Sequence, residues 1–231
     1  MSQIPPQALL IDADDTLWEN NIYFERAFDE FVEFLGHSSM TPTEIRGVLD
    51  EIEEANAKIH GYGSVNFGRN LRLCYEHLAE REVRDADLKT VIGFAERILE
   101  CPMEVIEGVP ETLEYLSLRH ELTLFTKGHA EEQKLKVERS GLGGFFHHTA
   151  IVKEKDPAAY TRLVEERAMA PARTWMIGNS PKSDVNAAME AGLNAVFVPH
   201  AHTWVLEKQE IRQGKGKLLV VERFSELRQH F

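Results

Sequence analysis

Asp12, Asp14 and Asp15 follow directly on the apolar run Ala8-Leu9-Leu10-Ile11, and Thr16-Leu17-Trp18 comes next. Four apolar residues running into acids is the pattern of a strand buried on both faces that ends at a polar edge. Asp12 and Asp14 are two apart, so if extended geometry persists their side chains leave on the same side. Two carboxylates so close repel each other unless a cation sits between them or one holds a proton, and both solutions are reactive. Polar segments follow other apolar runs downstream: Thr126-Lys127-Gly128, Lys153-Glu154-Lys155-Asp156-Pro157 and Gly178-Asn179-Ser180-Pro181-Lys182-Ser183-Asp184.

The stretch Asp12-Ala13-Asp14-Asp15-Thr16-Leu17 after an apolar strand resembles the first motif of the haloacid dehalogenase superfamily, and the likeness spans nearly the whole chain. Displacing a phosphate ester needs a nucleophile, charge neutralisation on the phosphoryl oxygens and a proton for the departing alkoxide. The resemblance implies that Asp12 is the nucleophile and forms an aspartyl-phosphate. It makes Asp14 the general acid and then the base that activates water, with its backbone carbonyl on the metal. Magnesium suits these oxygen ligands and screens an anionic nucleophile from an anionic substrate.

Thr126 matches the second motif, a strand-end hydroxyl that donates to a phosphoryl oxygen, and Lys155 matches the third, a lysine that neutralises phosphate and Asp12. Lys153 competes for that role, and the Asp156-Pro157 helix start favours Lys155. Asp184 fits the second acid of the fourth motif and completes a metal set of Asp12, Asp14, Asn179 and Asp184. Asn179 departs from the pattern, since most family phosphatases carry Asp after that glycine; an amide oxygen binds magnesium without adding negative charge. Lys127 departs from the commoner Asn and is a candidate substrate contact. His200-Ala201-His202 invites a metal reading, though transition-metal sites normally recruit more ligands.

The elements that must position these residues follow from hydrophobic period. Phe24, Phe28, Phe31 and Leu35 form one helical stripe, and Thr41-Pro42-Thr43-Glu44 carries a capping-box signal for the next helix. Gly61 to Gly68 reads as a glycine-rich loop, with Tyr62, Asn66 and Phe67 available to a substrate. Helices resume through Leu71 to Leu78 and Asp87 to Leu99. From Gly108 onward, short apolar runs at Leu122 to Phe125, His148 to Val152, Thr174 to Ile177, Ala195 to Val198 and Leu218 to Val221 alternate with helices. That alternation predicts an α/β fold: a Rossmann-like parallel sheet covered by helices on both faces, with the site at the carboxyl ends of the strands. The resemblance adds a helical cap of the first type, giving a catalytic core at 1–18 and 107–231 and a cap at 19–106.

The chain has 231 residues, 43% of them hydrophobic, enough for a real core. A net charge of −12 argues against a sequence-independent nucleic-acid binder, and no apolar run spans a bilayer. Met1 to Gln7 lacks a leader pattern, and the two cysteines, Cys74 and Cys101, fit a reduced cytoplasmic setting. The leading expectation is a magnesium-dependent phosphohydrolase acting on a small phosphorylated metabolite. A 2-haloacid dehalogenase-type hydrolase is the alternative that Asn179 favours and Asp14 opposes, because halide leaves without a proton. An idle binder of phosphorylated ligands is the other, and the intact acid and lysine set opposes it.

Overall fold

The structure is a computed structural model that describes residues 5–231, so the first four residues of the amino-terminal stretch lie outside it. Contacts divide the chain into two units, residues 1–19 with 103–231 and residues 20–102.

In the first unit, apolar runs too short for helices form six strands: β1 (Ala8–Ile11), β2 (Glu121–Lys127), β3 (His148–Val152), β4 (Thr174–Gly178), β5 (Asn194–Phe197) and β6 (Leu218–Val220). They make one parallel sheet in the order β3-β2-β1-β4-β5-β6, with Ile11 level with Leu124 of β2 and Ile177 of β4. Alternation sends Leu9 and Ile11 to one face, against Leu113 and Leu116 of α5 (Val109–Ser117) and the carboxyl-terminal Leu227. Leu10 goes to the other face with Phe125 and Met176, under Tyr160 and Leu163 of α7 (Pro157–Glu166) and Ala188 of α8 (Ala187–Glu190). Helices therefore cover both faces, and each fully buried aliphatic contributes about 1.5–3 kcal/mol. A further helix, α6 (Ala130–Ser140), follows β2.

The second unit is helical: α1 (Asn21–Leu35), α2 (Pro42–His60), α3 (Ser64–Leu78) and α4 (Asp85–Glu96) pack around Phe31, Leu49, Leu71 and Tyr75. The expected capping box forms at the start of α2, where Thr41 Oγ1 accepts from Glu44 N–H and Glu44 Oε2 accepts from Thr41 N–H. The glycine-rich loop is shorter than its composition suggested. Only Gly61 to Gly63 leave helical geometry, with φ of 77° at Gly61 and 110° at Gly63, and α3 starts at Ser64. Asn66 and Phe67 are consequently helical and buried: Asn66 Nδ2 donates back to Gly61 O, and the Phe67 ring packs 5.1 Å from Phe24. Gly68 stands inside α3 because α4 passes close; a Cβ there would lie 3.2 Å from Ala95 Cβ. Among the described residues, no helix is long and apolar enough to cross a membrane.

Candidate active site

β1 is a central strand whose hydrogen bonding carries one residue beyond its end, where Asp12 N–H donates to Ile177 O at 2.9 Å. Asp14 still bridges to Trp18 in strand fashion, and the chain turns after it, where Asp15 adopts a left-handed φ of 59° and Leu17 N–H bonds Ala13 O. The two carboxylates stay close enough for Asp14 to act on the charge of Asp12, and each finds its own partners.

Asp12 turns toward Lys155 and Asp184. The Lys155 ammonium contacts Asp12 Oδ1 and lies 2.7 Å from Asp184 Oδ1, with all three side chains almost fully buried. Lys155 is held in the β3–α7 connection just before Asp156, whose carboxylate caps α7 by accepting from Ala159 N–H at 2.7 Å. Asp184 lies on a wide helical turn over Pro181–Asn186, in which Val185 N–H reaches Ser180 O. Ser180 N–H donates to Asp184 Oδ2 at 2.9 Å and Tyr160 Oη–H donates to Ser183 O at 2.8 Å, so backbone and core both brace it.

Gly178 is required by close approach: a Cβ there would lie 2.2 Å from Asp184 Oδ2. Gly178→Ala should cost about 1–3 kcal/mol by overpacking and push the carboxylate off Lys155. A urea denaturation midpoint equal to that of the parent would show that the turn yields freely.

Two buried carboxylates against one ammonium leave an excess negative charge. Burial and the charge of Asp184 raise the Asp12 pKa to about 7, against the opposing pull of Lys155. Burial by itself would lower Lys155, but Asp12 and Asp184 outweigh it and raise its pKa above the ordinary lysine value. Thr16 Oγ1 donates to Asp12 Oδ2 at 3.0 Å and lies 3.4 Å from Asn179 Oδ1. The Asn179 amide is oriented from its other end, where Nδ2 donates to Thr203 Oγ1 at 3.0 Å. Its oxygen therefore faces Thr16, which also bonds Asp12.

Asp14 has partners of its own. Trp18 Nε1 donates to its Oδ1 at 2.8 Å, Gln133 Nε2 donates to Oδ2 at 2.8 Å, and Lys136 Nζ lies 3.0 and 2.9 Å from the two oxygens. Burial raises its pKa, but the Lys136 charge and these hydrogen bonds outweigh burial and leave it below the ordinary carboxylate value. Thr126, buried at the end of β2, reaches Gln133 Oε1 at 3.4 Å. Lys127 enters a polar network: its ammonium lies 2.5 Å from Glu207 Oε1, 3.1 Å from Ser183 Oγ and 3.3 Å from Glu154 Oε1. Ser180 Oγ–H donates to Glu207 as well.

The structure thus brings Asp12, Lys155, Asp184, Asn179 and Thr16 together, joins Asp14 to Thr126 through Gln133, and engages Lys127 with Glu207. Gln133, Lys136, Glu207 and Thr203 were not singled out from sequence. Their one signal is weak, namely polar residues close after strand-end segments. His200 faces Glu19 at 3.3 Å through Nε2 and Asp15 at 3.8 Å through Nδ1. Among the described residues these three are the one trio of His, Cys, Asp or Glu side chains with donor atoms within 4.8 Å of one another. The two ring nitrogens thus face different carboxylates, and His202 is not one of the trio.

A family model described as haloacid dehalogenase-like hydrolase matches residues 6–192. Among solved structures, a haloacid dehalogenase-like family hydrolase from Xanthomonas campestris is similar over 99% of this chain and 93% of its own, at 29% identity and a TM-score of 0.84. The HAD-hydrolase YfnB from Bacillus subtilis, bound to magnesium, shares the fold at 16% identity and a TM-score of 0.70, over 98% of this chain and 99% of its own. An L-2-haloacid dehalogenase from Xanthobacter autotrophicus with chloropropionic acid covalently bound does so at 15% identity and 0.64, over 97% of each chain. No curated protein matches the chain.

Proposed function

The chain belongs to the haloacid dehalogenase-like hydrolases, and from that premise we propose that it is a magnesium-dependent phosphohydrolase acting on a small phosphorylated metabolite. The observation that carries this reading is the meeting of the buried Asp12 and Asp184 carboxylates on Lys155, with the Asn179 oxygen on the Asp12 side through Thr16, a set of oxygen donors suited to a divalent cation. Asp12, Asp184, Asn179 and the Asp14 backbone carbonyl would hold magnesium, which when bound neutralises charge on nucleophile and phosphoryl group. An Asp12 carboxylate oxygen attacks phosphorus and the bond to the leaving oxygen breaks; Asp14, which the Lys136 charge and its hydrogen bonds hold anionic in the free protein, takes up a proton as the dianionic substrate binds and gives it to that oxygen. Asp14, now anionic, takes a proton from water, whose oxygen attacks the phosphorus of the aspartyl-phosphate. Inorganic phosphate leaves and Asp12 is regenerated. Thr126 and Lys155 hold phosphoryl oxygens through these steps, and Lys155 also keeps Asp12 oriented.

The inserted helical unit is read as a cap of the first type, and the setting as cytoplasmic, in keeping with two cysteines that form no disulfide. Dehalogenation is the second reading. It is favoured by Asn179, which supplies no charge to a metal set, and by the fold shared with the Xanthobacter dehalogenase. Parallel assays on an aryl phosphate and on 2-chloropropionate, each with magnesium and with chelator, decide between them. Phosphate release that needs magnesium supports the proposal; chloride release indifferent to chelator replaces it.

Asn179 supplies a separate test of the metal set. Asn179→Asp adds a charged oxygen in nearly the same volume, and half-saturating magnesium should fall by about 3- to 10-fold as ligand charge count rises. Identical magnesium titrations for variant and parent would remove Asn179 from the metal set.

A further inference from the structure

Gln133 and Lys136 are three apart on α6, so both project from one face of the helix toward Asp14. Between them they engage both carboxylate oxygens, and Trp18 adds a bond to Oδ1. Gln133 is itself held at both ends, since its amide oxygen accepts from the Thr126 hydroxyl while its Nε2 donates to Asp14. The fold makes room for this side chain at Gly128, where φ is +144° and a Cβ would lie 2.9 Å from Gln133 Nε2. Gln133 is 4% exposed and the Lys136 side chain 13%, so neither is a solvated surface group that happens to pass by.

We propose that Gln133 and Lys136 are positioning residues that fix the Asp14 carboxylate. The inference rests on the phosphohydrolase reading and deepens it. A side-chain carboxylate left to itself samples several rotamers, and four hydrogen bonds, two of them from an ammonium, select one. The group that handles the leaving-group proton is thereby held in one orientation from α6, and Gln133 also reaches the end of β2 at Thr126. Displacement of a catalytic group by about 1 Å can cost 10²-fold in rate, which is the scale on which such a clamp acts.

The test compares two substrates on the full-length protein with magnesium: an alkyl phosphate, whose alkoxide must be protonated, and 2,4-dinitrophenyl phosphate, whose phenolate departs without a proton. Lys136→Met and Gln133→Leu should each lower kcat on the alkyl ester by about 10- to 100-fold, with KM within about twofold of the parent. The initial burst of dinitrophenolate should change by less than about threefold, and Lys136→Arg should recover most of the alkyl-ester rate because its guanidinium can again bond both oxygens. Equal losses on both esters, a rise in KM with kcat kept, or full activity in both variants would each overturn the assignment. A parent protein inactive on both esters would sink the phosphohydrolase reading. The clamp is then decided by a crystal structure of the Gln133→Leu/Lys136→Met double variant: a displaced Asp14 carboxylate upholds it, and an unmoved one overturns it.

Discussion

Asp12→Asn is expected to abolish turnover, by roughly 10⁴-fold or more as for other lost nucleophiles, while the protein stays folded. The amide matches the carboxylate in shape but has no anionic oxygen with which to attack phosphorus. The same substitution changes the response of stability to pH in a definite direction. Burial and Asp184 raise Asp12 to about 7, whereas the unfolded chain releases that proton near the ordinary carboxylate value of about 4. Without magnesium the folded state therefore binds more protons between these limits, and this group lowers stability as pH rises across that window. Asp12→Asn should flatten that fall, so that the variant gains on the parent at neutral pH in chelator. Urea midpoints measured across the window check the slope. Appreciable turnover by the pure variant would remove Asp12 as nucleophile, and an unchanged slope would remove it as the titrating group.

Lys155→Met is expected to be the most destabilising substitution at the site. Methionine approximates the volume but leaves the Asp12 and Asp184 carboxylates buried without their shared cation. Breaking a buried ion pair by removing one partner costs about 3–5 kcal/mol, and a loss on that scale should appear in chelator. Magnesium should recover part of it, because a cation among the same oxygens supplies the missing charge. Turnover should fall steeply even where stability is regained. Equal denaturation midpoints for Lys155→Met and parent in chelator would mean that the carboxylates are neutralised by other means.

Much of the architecture can be read from the chain because the two periods are cleanly separated. Leu9, Leu10 and Ile11 are all apolar since β1 is covered on both faces, and the Thr41 to Glu44 segment carries its capping box in residue types alone. Asp12, Lys155 and Asp184 could be picked out because each follows a strand closely, and a parallel sheet delivers such residues to one edge. The glycine-rich stretch misled by composition: Gly68 serves the close passage of α3 and α4, not a turn. The partners of Asp14 could not be read from its spacing to Asp12, because two of them come from α6. Gln133 and Lys136 were invisible for a different reason. Two polar residues on a short helix among other charges carry no periodic mark, and only the tertiary path from β2 into α6 aims them at Asp14.

The central claim is that phosphorus becomes bonded to Asp12. It is tested most directly by mixing the magnesium-loaded protein with an aryl phosphate, quenching within a turnover in acid, and locating added mass on peptides. The account predicts a phosphoryl group on the peptide bearing Asp12, absent in Asp12→Asn. Aryl phosphate hydrolysed at the steady-state rate with that peptide unmodified throughout, or the same peptide alkylated by 2-chloropropionate instead, would contradict it.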